Sequence, residues 1–337
     1  MEPRNKPYDI MDWNVLTQKQ PFFCQYQFYD THRVNKKRPD GKPMPFLACP
    51  DHPVDRSAIE LHSYTPDTPE AREELGAYLE NLNLLDMKIG KLLDDLKAKG
   101  LYEKTIIVVM GDNGPPVFRG KGFLYERGIR MPLFVRVPKH FNPGLEPGTR
   151  SNELVSAMDM APTFIDLAGG QIPGHLEGRI FLGPNKQPEP EYLFAMRDRH
   201  GSNVDRCRSV CSRQYKYIRN YVRGMTCFEN SLGNVAGSKA GERLFNQGKL
   251  SASQAAYYLE KPEEELYDLD KDPFELNNLA EDPGHKETLA RFRAELANWI
   301  ERTGDDGKFE DPEALKEMDR LWAEFTRKRR LRRAGDK

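Results

Sequence analysis

The chain has 337 residues, 38% of them hydrophobic, with 51 Lys and Arg against 52 Asp and Glu and a formal net charge of -1. That length accommodates two domains and a sizeable core, and the mean hydropathy of -0.74 points to a soluble chain. The near-zero charge offers no field to draw in nucleic acid or an anionic membrane surface, and no apolar stretch approaches the roughly 20 residues of a transmembrane helix.

In chain order, the opening "MEPRNKPYDIMDWNV" lacks the apolar core of a signal peptide. "PFFCQYQFY", Pro21 to Tyr29, is aromatic-rich, reads as a strand and runs into "DTHR". Residues 33 to 66 are rich in Pro, Lys and Asp and read as a long loop. A helix follows, with Thr68 as cap, Pro69 in its first turn and Gly100 at its end. Leu75, Tyr78, Leu79, Leu82, Leu85, Ile89, Leu92, Leu93 and Leu96 recur along it at helical spacing. Thr105 to Met110 is a short, continuous apolar run of the kind buried on both faces of a parallel sheet. Leu133 to Val137 is a second, closed by Pro138. Another helix is expected over Ala161 to Leu167. This order predicts an α/β fold with a mostly parallel, doubly wound sheet flanked by helices.

The second half differs in character. "EYLFAMRDR" reads as a strand, and "RSVCSRQYKYIRNYV" as two strands joined by a turn near Ser212 to Gln214. "EEELYDLDKDPFELNNLA" adds a short strand and an acidic turn. A last amphipathic helix places Leu289, Phe292, Leu296, Trp299 and Ile300 on one face. Residues 1–200 are therefore assigned to the α/β domain, 201–307 to a smaller antiparallel sheet plus helix, and 308–337 to a charged helical tail. Its "RKRRLRR" reads as solvated. The five cysteines, Cys24, Cys49, Cys207, Cys211 and Cys227, imply no disulfide framework because their number is odd. Cys207 and Cys211 lack a second pair at zinc spacing and read as strand residues. Asp268, Asp270 and Asp272 have the one-three-five spacing of a calcium loop, but Pro273 and Leu279 stand where Gly and Glu are needed. That segment is a turn.

Functional groups in open α/β sheets gather beyond the carboxyl ends of strands, and Gly111-Asp112-Asn113-Gly114 follows the Thr105 run there. Carboxylate and amide oxygens suit a hard cation. A plain turn accounts for the same four residues.

"DNG", then "RGKGFLYERGIRMPLFVRVP", resembles the metal-and-lysine segment of the sulfatase family, D-N-G followed by G-K-G-x-x-Y-E-G-G-x-R-x-P. "PFFCQYQFYDTHR", "SAMDMAPTFIDLAGGQIP", "RQYKYIRNY" and "EELYDLDKDPFELNNLA" resemble further family segments in the same order, so the likeness runs to about Thr303. Within the family, bacterial proteins related to heparan N-sulfatase are the most similar. The resemblance implies an alkaline-phosphatase-like fold, incomplete at its N-terminus. It implies Asp112 and Asn113 as ligands of a calcium ion, Lys121 as the residue that contacts sulfate, and His32 as a proton donor to the leaving group. A lysine between glycines or a lone histidine would carry no such role by itself. Tyr125, Glu126 and Arg130 match as structural residues. Arg127 stands where the family has glycine, which puts the local backbone in question.

The family's nucleophile motif, C/S-x-P-S-R, whose Cys or Ser becomes formylglycine, is absent. "ACPDHP" at Cys49 and "CSRQ" at Cys211 do not match it. Also missing are the paired aspartates that complete the metal site and the lysine and histidine that follow the nucleophile. The expectation is a sulfuric ester or N-sulfate hydrolase acting on sulfated sugars, of which this sequence is a fragment carrying the downstream half of the site. The alternatives are a non-catalytic metal- or glycan-binding relative and a phosphoesterase of the same superfamily. Asn113 argues against a two-zinc phosphatase, which favours histidine, and the presence of both His32 and Lys121 argues against binding alone. The expected partner is a sulfated small molecule or glycan, with no nucleic acid and no membrane span. Family members are often periplasmic, secreted or lysosomal, and the sequence assigns no compartment.

Overall fold

The computed structural model describes residues 12–33, 36–37, 43–44, 46, 53–141, 146–200, 203–230 and 235–305, with scattered positions from 316 to 327. The N-terminal stretch 1–11, Cys49 and most of the 308–337 tail lie outside the described residues.

Helix α1, Pro69–Ala98, begins and ends where its sequence says. Thr68 Oγ1 accepts from the Ala71 amide at 3.1 Å, and Gly100 takes the left-handed φ of +67° that stops a helix. Of the leucine stripe only Leu96 is fully buried. Ala71, Glu74, Gly76, Ala77, Glu80 and Asn81 are buried, whereas Leu75, Leu79, Leu82, Leu85, Leu92 and Leu93 are half-buried. Another helix, Ala236–Asn246, lies close against this face at Ala71 and Glu74, and the Arg56 side chain covers Gly76. A methyl on Gly237 would sit 3.0 Å from the Ala71 Cα. Glu74 accepts from the Ala236 and Gly237 amides at 2.9 and 3.3 Å, meeting the donors at that helix's N-terminus with a carboxylate.

Strands β1, Ile107–Met110, and β2, Leu133–Arg136, pair antiparallel from Ile107↔Arg136 to Met110↔Leu133. No parallel ladder forms among the described residues. Nor is the pair buried on both faces, since Phe134 is 68% and Met110 40% exposed. The reason is local: β2 returns directly from the loop after β1, and bonds from Gly111 N to Pro132 O (3.2 Å) and Gly114 N to Gly128 O (3.0 Å) extend the ladder into that loop. A parallel neighbour would need a crossover. "PFFCQYQFY" is no strand either. Aromatic content makes a segment strand-competent, but a strand also needs a partner ladder, and none pairs with it among the described residues. Phe23, Tyr26 and Tyr29 are exposed.

The C-terminal region forms the expected antiparallel sheet, in the order β3 (Leu193–His200), β4 (Asn203–Cys211), β5 (Tyr215–Asn220) and β6 (Glu264–Asp268). It starts at Leu193, so the boundary expected at residue 201 falls inside the β3–β4 hairpin, because β3 pairs with β4 from Leu193↔Cys211 to His200↔Asn203. Alternation along the strands divides two cores. Val210, Tyr217 and Leu266 face the helix Lys286–Thr303 through Leu289, Phe292 and Leu296. Cys207, Ile218 and Tyr267 face the loop between β1 and β2 through Phe118, Phe123 and Tyr125. Cys207 and Cys211 are free thiols of β4. Asp268 Oδ1 accepts from the Asp270 and Lys271 amides at 3.2 and 3.3 Å, the turn read from the sequence.

His62 stacks on Tyr64 (5.3 Å between centroids) and tilts against Phe274 (4.9 Å). Burial, with Arg127 adding positive charge, lowers its pKa from 6.5 to about 4. Between those values the unfolded chain binds more protons than the folded one, so stability falls as pH drops from about 6.5 towards 4. His62→Phe is expected to flatten that decline in urea midpoints measured at pH 7 and pH 4.5. An unchanged drop would assign the acid sensitivity to other groups.

Candidate active site

The loop from Gly111 to Pro132 is held by backbone contacts that only glycine permits. A methyl on Gly114 would lie 2.0 Å from Arg127 O, one on Gly120 2.0 Å from Pro115 O, and one on Gly128 2.1 Å from Phe123 O. Pro115 O accepts from the Lys121 amide at 2.9 Å, which folds the Lys121 segment back beside the Asp112-Asn113 turn. Gly120 is therefore a structural requirement of the loop, beyond any approach of ligand.

Buried side chains fix this loop onto the C-terminal sheet. Arg119 lies over the Tyr125 ring at 3.9 Å and donates to Glu275 O at 2.8 Å. Tyr125 Oη donates to Glu265 at 2.9 Å. Glu126 sits 2.5 Å from the Lys216 ammonium. Tyr125 and Glu126 are thus structural, as expected, while Arg130 makes only an exposed pair with Glu126 at 3.5 Å. Arg127 belongs to the single helical turn Glu126–Ile129 and donates to Tyr64 Oη at 3.1 Å. Its backbone does not have the positive φ that would demand glycine, so arginine is tolerated there.

On this scaffold Asp112 is exposed, and Asn113 and Lys121 are half-buried. None of the three side chains has a hydrogen bond or ion pair among the described residues. His32 is also exposed, with Nδ1 2.8 Å from Arg33 O. Its segment is anchored to α1 by Arg33–Glu74 (3.1 Å) and Asp30–Lys88 (2.5 Å). Asp112, Asn113 and Lys121 share one loop, while no described contact links His32 to it. Asp112 and Asn113 are the right kind of donor for a hard cation, yet a calcium shell takes roughly six to eight oxygens. No group of three or more His, Cys, Asp or Glu that could hold a metal occurs among the described residues.

Sequence reasoning missed Arg197 and His200, filing their segment only as a strand. Arg197 Nη1 donates to Gly122 O at 2.5 Å, beside Lys121, and its guanidinium lies 5.3 Å from the Phe123 ring centre. Asp205 backs it at 3.6 Å and is itself held by Lys261 at 2.5 Å. The available signal was the charged run "RDRH" at the end of an apolar, strand-like segment.

The sulfatase family profile matches residues 9–170, and the profile "N-sulphoglucosamine sulphohydrolase, C-terminal" matches residues 116–230. An ulvan-active sulfatase of Formosa agariphila is 30% identical over 336 residues, covering 91% of this chain and 56% of that protein. Human N-sulphoglucosamine sulphohydrolase is 27% identical over 227 residues, 59% of this chain and 44% of that one. The chain thus spans about half the length of the curated relatives it matches. Among solved structures, a 2-O GAG sulfatase superposes with a TM-score of 0.53 at 21% identity, over 84% of this chain and 58% of that one. A phosphonate monoester hydrolase from Silicibacter pomeroyi gives 0.53 at 16% identity, over 86% and 68%. These likenesses show the alkaline-phosphatase-like α/β fold, with a smaller antiparallel sheet at the C-terminal end. Because a sulfatase profile passes into an overlapping C-terminal profile from the same family, the chain belongs to the sulfatase family and is similar to its heparan N-sulfatase-like members.

Proposed function

We propose that these residues supply the Lys121 side of a sulfatase active site that hydrolyses sulfate esters or N-sulfates of sugars. The observation that carries this reading is the combination of a rigid loop with Asp112, Asn113 and Lys121 side chains that have no hydrogen-bond or ion-pair partner among the described residues. Lys121 would stabilise charge on the sulfate oxygens and on the departing oxygen. His32 would donate the proton that the leaving group takes up. Asp112 and Asn113 would give two oxygen donors to a bound calcium ion, which supplies fixed positive charge at the sulfate. The nucleophile comes from outside these 337 residues, since no C/S-x-P-S-R occurs in them.

The test joins the chain to a sulfatase N-terminal segment carrying that motif and assays an aryl sulfate, glucosamine N-sulfate and an aryl phosphate side by side. Sulfate release by the joined protein, and none by the 337 residues alone, is expected. Turnover of the aryl sulfate by these residues alone, lost in Lys121→Ala, would place a nucleophile within them. Preference for the phosphate would replace this reading with a phosphoesterase.

A further inference from the structure

The β3–β4 hairpin carries an irregularity that sets two residues against the Lys121 loop. Strict alternation would send Arg197 and His200, three positions apart, to opposite faces of β3. The pairing register shifts between Arg197 and Arg199, and such a bulge re-aims the side chains beyond it. Both residues consequently reach Gly122. Arg197 donates to its carbonyl at 2.5 Å. The His200 ring occupies the space that a side chain would take, since a methyl on Gly122 would lie 3.2 Å from His200 Nδ1 and 3.3 Å from its Cγ. Gly122 also has a φ of +91°, so the loop and the imidazole are matched to one another.

His200 is half-buried and has no hydrogen bond or ion pair among the described residues. Arg197 spends its charge on Gly122 and Asp205. The imidazole beside Lys121 is therefore a polar group held in place, with no hydrogen-bond partner among the described residues. Burial, with Arg197 and Lys121 adding like charge, keeps its pKa below the ordinary value of 6.5, so at neutral pH the ring is uncharged.

We propose that His200 is a substrate-contacting residue: its imidazole hydrogen-bonds the sugar next to the anionic group that Lys121 holds. Arg197 acts as a positioning residue for the Gly122 carbonyl. The assignment rests on the proposed role of Lys121, and its test does not require turnover. Imidazole resonances of the 337-residue chain are followed by NMR while glucosamine N-sulfate, unsulfated glucosamine and glucosamine 6-phosphate are added in turn. Glucosamine N-sulfate is expected to move the His200 resonances, and His200→Ala to weaken its binding about tenfold, the loss of one hydrogen bond to a ligand. Lys121→Met should raise the His200 pKa, because a neighbouring positive charge is gone. If the phosphosugar moves the His200 resonances and the N-sulfate does not, the contact is supported and the sulfatase reading fails. If Lys121-dependent binding of the N-sulfate leaves the His200 resonances still and survives His200→Ala, the proposal is overturned.

Discussion

Lys216→Met is expected to lower folding stability by about 3–5 kcal/mol, a large share of the roughly 5–15 kcal/mol available to a typical protein. The ammonium is fully buried, 2.5 Å from Glu126 and 3.0 Å from the nearly inaccessible Glu275. Burial alone would drive the lysine towards neutrality, but the two carboxylates outweigh it and its pKa is raised. Methionine fills the volume and removes the charge, so both acids lose their nearest counterion, leaving Glu126 the exposed Arg130 at 3.5 Å and Glu275 the charge of Arg119. Burial already holds the Glu275 carboxyl above its ordinary pKa, and loss of the lysine charge raises it further, which makes the variant's deficit largest at neutral pH and smaller as pH falls through the carboxylate range. Urea denaturation at pH 7 and pH 5 measures both effects. Adding Glu126→Gln and Glu275→Gln to the variant should recover part of the loss, since the two carboxylates no longer lack the lysine, while the buried Arg119 gives up the charge of Glu275. A deficit below about 1 kcal/mol, as for an exposed pair, would mean that water reaches the cluster.

Lys121→Ala is expected to cut turnover about a hundredfold or more in the protein joined to a nucleophile-bearing segment, in line with losing one positioned charge stabiliser. Lys121 leaves a loop whose backbone is locked at Gly114, Gly120 and Gly128, so its charge is held ready before substrate arrives. If it acts on the developing charge, kcat and kcat/KM fall together. A rise in KM with kcat unchanged would show that it only binds the ground state. His32→Ala should hurt substrates with poor leaving groups most, because proton donation matters there. Equal turnover of the Lys121 variant would remove that residue from the site.

Much was written locally. Thr68, Pro69 and Gly100 delimit α1 through interactions within a few residues of each end. The alternation of Val210, Tyr217 and Leu266 against Cys207, Ile218 and Tyr267 fixes two faces of one sheet from side-chain period alone. The Asp112-Asn113-Gly and Gly-Lys121-Gly motifs could be located from order and spacing, and their family follows from them. Tertiary structure decided whatever needs a distant partner. β1 and β2 are equally apolar in either direction, and only the loop's backbone bonds make them antiparallel. "PFFCQYQFY" has strand composition and no ladder among the described residues, because a strand's hydrogen bonds are made by another segment. The leucines of α1 outline a face by period, yet Ala71 and Glu74 are buried where Gly237 comes close and Gly76 where the Arg56 side chain covers it. Arg197 and His200 meet Gly122 from 75 or more residues away in sequence, through a register shift that no local pattern records. Capping and alternation are short-range and survive in one dimension, whereas pairing direction, burial and convergence of charges depend on which surfaces the rest of the chain presents.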